Sequence, residues 1–164
     1  MKIEGKTPYK KFAPIEPYVS DESKKAMMAA AERAFKPCCS LTIDEFFGVC
    51  GGDYSLLGDT RNPSVLQVYW AKRFAVFVEE FTQACQRTML EPTPDQRIAS
   101  EGQIEMTPQE HMLVFVREYF NLPSFFAAGK RTLGEYLTAR KDRYNQLLQQ
   151  RKFEQLQRDK LHRK

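Results

Sequence analysis

The chain has 164 residues, enough for one cored domain and too few for two. Its 42% hydrophobic and 28% charged residues make an ordinary globular composition, and apolar runs such as Ala75-Val76-Phe77-Val78 fall far short of the roughly 20 residues that a bilayer-spanning helix needs. The formal charge of +4 is unevenly placed: residues 130–164 hold 11 Lys/Arg against 4 Asp/Glu, a net of +7, while residues 1–129 hold 14 against 17, a net of −3.

In chain order, residues 1–20 contain Pro8, Pro14 and Pro17 with little periodicity, together with Lys2, Lys6, Lys10 and Lys11. Proline removes a backbone donor and biases its predecessor to extended geometry, so an extended arm is expected. No apolar stretch follows these lysines as in a secretory signal, and a cytoplasmic protein is expected. Ser20 or Asp21 caps a first helix to about Lys36, with Met27, Met28, Ala31, Ala34 and Phe35 on neighbouring faces; Pro37 ends it. Thr42-Ile43-Asp44-Glu45 reads as a capping box, with Leu41 and Phe46 placed to close a hydrophobic staple. Gly51-Gly52 stops the short helix that follows.

Asn62-Pro63 predicts the start of a long central helix to about Leu90, with Asn as cap and Pro in the first turn. Leu66, Trp70, Phe74, Phe77, Phe81, Ala84 and Cys85 form its stripe, widened by Val65, Tyr69 and Val76. Glu91 to Met106 is polar and reads as an exposed connection. Thr107-Pro108-Gln109-Glu110 is a second capping box, opening a helix with Met112, Leu113, Phe115, Val116, Tyr119 and Phe120. Ser124 to Ala128 predicts one further turn. Thr132-Leu133-Gly134-Glu135 is a third capping box, and the last helix carries Leu133, Leu137, Tyr144, Leu147 and Leu148 on one face.

That stripe fades after Leu148, where only Phe153, Leu156 and Leu161 are apolar. A helix reaching Leu161 is about 43 Å long, against a radius of gyration of roughly 15 Å for a globule of this length, so its end is expected to project. Period-two alternation is almost absent. The expected fold is therefore all-α: a single-domain helical bundle (21–148) with an extended arm (1–20) and a basic C-terminal helix extension or tail (149–164). Its core is predicted from Phe46, Phe47, Leu66, Trp70, Phe74, Phe77, Phe81, Leu113, Val116, Phe120, Leu133, Leu137 and Tyr144.

No catalytic or metal motif emerges. Cys38, Cys39, Cys50 and Cys85 show no Cys-x-x-Cys spacing; Cys50 and Cys85 read as small buried hydrophobes, and no disulfide is expected. His111 lies in a first helical turn, where a charged imidazole is disfavoured, with no nucleophile to serve. Gly51-Gly52-Asp53-Tyr54 superficially matches the start of a cyclase signature, but it follows a short helix and has Tyr54 and Ser55 in the wrong places. Gly129-Lys130 lacks the upstream glycine and following Ser or Thr of a phosphate loop. Neither a catalytic residue nor a metal ligand is assigned, and no cofactor is expected.

The layout, with the helix opening Leu41-Thr42-Ile43-Asp44-Glu45-Phe46-Phe47, resembles small helical proteins of bacteriophages and prophages, tail-assembly chaperones in particular. The resemblance implies a role in holding or assembling another protein and transfers no catalytic residue. The chain is thus expected to be a non-enzymatic interaction or assembly protein, whose partner is another protein, a second copy of itself included, and not a membrane. The alternative is a nucleic-acid-binding accessory protein using the basic last helix. Candidate contact residues are Arg140, Lys141, Arg143, Arg151, Lys152, Phe153, Leu156, Arg158 and Lys160. By helical spacing, the four arginines among them are not expected to share one narrow face.

Overall fold

The computed structural model describes residues 20–93 and 105–162. The expected arm and much of the expected polar connection after the central helix lie outside the described residues. The described residues form six α-helices in order: α1 (Asp21–Ala34), α2 (Ile43–Cys50), α3 (Val65–Arg87), α4 (Pro108–Tyr119), α5 (Phe125–Gly129) and α6 (Leu133–His162). Short 3-10 turns at Cys38–Ser40 and Ser55–Leu57 link the first three. The described residues form no strand, and the fold is all-α.

Local chemistry sets these boundaries. Ser20 caps α1 through Ser23 N–H, Ser124 caps α5 through Ala127 N–H, and Thr42 and Thr107 close the two capping boxes that open α2 and α4. Thr132 does the same for α6: Glu135 N–H donates to its Oγ1 at 3.2 Å, and its own N–H donates to Glu135 Oε2 at 2.8 Å. Leu41 and Phe46 are both fully buried, as the staple requires. Gly52, at φ 95°, takes the left-handed turn after α2 that a side chain would strain.

The start of α3 differs from the Asn62-Pro63 reading. Ser64 is the cap, and its partner is Gln67, whose Oε1 accepts Ser64 N–H at 2.6 Å. Gln67 is buried, and its Nε2 donates to the carbonyls of Leu57 at 2.9 Å and Asp59 at 3.0 Å. One amide therefore both caps the helix and fastens the preceding loop, an arrangement Asn62 cannot match. Pro63 sits outside the helix. Val65 and Val76, read as widening the apolar stripe, face solvent at 60% and 42% exposure.

α1 packs on α3, α2 packs on α4 and α5, and α4 packs on α5 and α6. The capped openings of α2 and α6 repeat a pattern, Thr42-Ile43-Asp44-Glu45-Phe46-Phe47 and Thr132-Leu133-Gly134-Glu135-Tyr136-Leu137. Backbone pairing joins them: Thr42 and Thr132 form an isolated antiparallel bridge, with Ile43 N–H donating to Arg131 C=O at 3.0 Å and Leu133 N–H to Leu41 C=O at 2.8 Å. The openings of α2 and α6 thus start from one point, and the segment before each supplies the carbonyl acceptor for a first-turn N–H that the other helix would otherwise leave open.

The core is an aromatic relay through this junction. Trp70 stacks on Phe74 at 5.5 Å between centroids, Phe74 meets Phe46, Phe46 meets Phe81, and Phe81 meets Tyr136, which takes Phe115 edge-on at 5.6 Å. The Trp70 indole N–H donates to Lys36 C=O at 2.7 Å, tying α3 to the end of α1. Of the predicted core, Phe46, Trp70, Phe74, Phe77, Phe81, Val116 and Leu133 are buried, while Phe47, Leu66, Leu113, Phe120 and Leu137 are half-buried against them. Tyr144 is only half-buried and lies outside this cluster.

Candidate functional site

The last helix, 30 residues and about 45 Å long, changes character along its length. Leu133, Tyr136 and Ala139 are buried in the body. Tyr144, Leu147, Leu148 and Arg151 are half-buried, and every residue from 152 to 161 is exposed. Phe153, Leu156 and Leu161 are 61%, 60% and 74% exposed.

Between α6 and the segment that follows α3 lies an open groove of about 770 Å³. Met89, Leu90 and Pro92 form one wall; Tyr144, Leu147 and the four arginines Arg140, Arg143, Arg151 and Arg158 form the other, with Phe115 between them and Glu154 on the α6 side. The spacing argument against a shared face is overturned here. At about 100° per residue, the four arginines fall within an arc of about 80°. Their separations of 3, 8 and 7 residues look irregular, but the first falls about 60° short of one turn and the second runs about 80° past two, so the offsets cancel.

The remaining candidates lie on the other side of the helix. Lys141, Lys152, Phe153, Leu156 and Lys160 cover an arc of about 120° opposite the groove, and all five are exposed. The nine candidates therefore form two surfaces, a guanidinium-lined groove and an outer face of lysines and apolar side chains.

Two of the arginines have structural partners. Arg140 is half-buried; its Nε donates to Thr88 Oγ1 at 2.8 Å, Nη1 to the Tyr136 hydroxyl at 3.0 Å and Nη2 to Cys85 C=O at 3.1 Å. It closes the C-terminus of α3, where a cation also suits the helix dipole. Burial, with smaller contributions from its neighbours, pushes the Tyr136 hydroxyl up to about 12, so it stays protonated beside the guanidinium. Arg151 Nη2 donates to Glu91 C=O at 3.0 Å, pinning the segment after α3 to α6. These partners are neutral. Among the described residues no carboxylate pairs with any of the four groove arginines, whereas Lys36, Arg61, Arg73, Lys130 and Arg131 elsewhere all have acidic partners.

The four cysteines are free, and burial pushes the Cys38 thiol up to about 12 and Cys50 to about 11. His111 is exposed on the first turn of α4. Among the described residues no group of three or more His, Cys, Asp or Glu side chains gathers to hold a metal, and no helix is long and apolar enough to cross a membrane.

No family model, curated protein or solved structure matches the chain. The groove and the projecting helix therefore have to be read from their own chemistry.

Proposed function

We propose that the protein is a non-enzymatic interaction or assembly protein whose contact surface is the C-terminal part of α6. One observation carries this reading: over three turns of helix, residues 152–161, no side chain is buried, and Phe153, Leu156 and Leu161 are exposed. Isolated helices of this length are marginal in water, and exposed apolar side chains on a projecting element are the ordinary mark of a surface that a partner completes. An assembly-chaperone role, of the kind the layout resemblance implies, would use the same surface. Co-purification and sizing of the full chain beside the Phe153→Ser/Leu156→Ser variant test it. The variant is expected to lose its bound partner or its self-association while keeping its helical circular dichroism. Unchanged partners and unchanged size would end this reading.

A further inference from the structure

We infer that the groove between α6 and the segment after α3 binds an extended acidic peptide segment of a protein partner, one that carries apolar side chains between its carboxylates. The assignment rests on the interaction role proposed above and names the chemistry of the partner.

Charge complementarity selects the occupant. Arg140, Arg143, Arg151 and Arg158 line the groove against Glu154 alone, so its walls carry a net positive charge. Arg140 and Arg151 are oriented by a hydroxyl-bearing pair and by backbone carbonyls, contacts that fix a guanidinium without neutralising it. A guanidinium presents a planar fork of donors matched to carboxylates. Arg143 and Arg158 are exposed and free to take such a partner. Between these charges stand Tyr144, Leu147 and Met89, which ask for apolar side chains at intervals rather than an unbroken row of anions.

Dimensions agree. From Arg140 to Arg158 α6 runs about 27 Å, the reach of about eight extended residues. A groove of about 770 Å³ is within the size range of ligand clefts of roughly 300–1,000 Å³. A nucleic acid is less well served. Its affinity comes from many evenly repeated phosphates, whereas the groove interrupts its arginines with Glu154 and apolar groups.

The probe is a fluorescein-labelled peptide of about eight residues, Glu alternating with Leu and Phe, titrated onto the full chain by anisotropy. A Gln-for-Glu peptide and a mixed-sequence single-stranded DNA serve as comparisons. The Glu peptide is expected to bind, more weakly as salt rises, and the Gln peptide to bind at least tenfold less well. Arg143→Gln/Arg158→Gln should weaken the Glu peptide about tenfold, as expected for two exposed charge pairs. Lys25→Gln/Arg33→Gln, which removes the same charge from α1, should not change binding. Equal binding of the two peptides, equal losses in the two variants, or DNA binding that equals or exceeds peptide binding would overturn the proposal. Phe153→Ser/Leu156→Ser separates it from the reading it rests on: if that variant loses the natural partner while the groove variant keeps it, the interaction role stands and the groove assignment falls.

Discussion

Arg140 shows how a residue can look like a surface charge and be a structural clasp. Its bonds to Thr88 and Cys85 hold the end of α3 against α6, and the Tyr136 hydroxyl of its own helix orients it. Arg140→Gln is expected to destabilise the fold by about 1–3 kcal/mol, the cost of losing hydrogen bonds from a charged donor to partly buried acceptors, read as a lower urea midpoint. Nothing local in the sequence announces this, since Cys85 and Thr88 lie 55 and 52 residues away. The capping glutamates were legible because each partner is three residues off. Hydrogen bonds from the Thr132 backbone, with help from Arg131, hold Glu135 below the ordinary carboxylate range. At Glu45 burial works upward, but the Lys36 ammonium and the Thr42 backbone outweigh it. A carboxylate depressed in the folded state adds stability above its unfolded pKa of about 4.3 and loses that stability as pH falls through the folded value. The urea midpoint should therefore fall below about pH 5, and fall less steeply in Glu45→Gln/Glu135→Gln. Gln67→Leu should cost about 1–3 kcal/mol, because it strands the Leu57 and Asp59 carbonyls and the Ser64 N–H.

At the scale of elements, helix starts were the readable part. Three Thr-x-x-Glu boxes mark α2, α4 and α6 because a cap is a contact within one turn. The Ser64/Gln67 box escaped because Asn62-Pro63 is also a valid start signal, and only the buried loop contacts of Gln67 decide between them. The two-sided character of α6 escaped for another reason: intervals of 3, 8 and 7 residues follow no simple repeat, yet all return to one face. The pairing of the two Thr-capped openings escaped because their likeness spans six positions some ninety residues apart. This division of α6 predicts unequal effects along it. Removing residues 152–164 should shift the melting temperature by no more than about 2–4 °C, since none of residues 152–161 is buried. Leu133→Ala, at a fully buried position, should cost about 2–5 kcal/mol in the same assay.

Over the whole molecule, the aromatic relay from Trp70 to Phe115 passes through α3, α2, α6 and α4, so these four helices share one core. Phe46 touches Phe47, Phe74 and Phe81, and Phe46→Ala should cost about 3–5 kcal/mol, with near- and far-ultraviolet circular dichroism lost together as one transition. The Thr42–Thr132 bridge has a consequence for how such a chain is born. Synthesis runs from the N-terminus at about 5–20 residues per second. The Ile43 N–H and the Leu41 carbonyl are therefore made roughly 5–20 seconds before Arg131 and Leu133, their partners, exist. Throughout that interval the nascent chain carries α2 with its opening half-finished, and the junction closes only once residues 131–133 have been made.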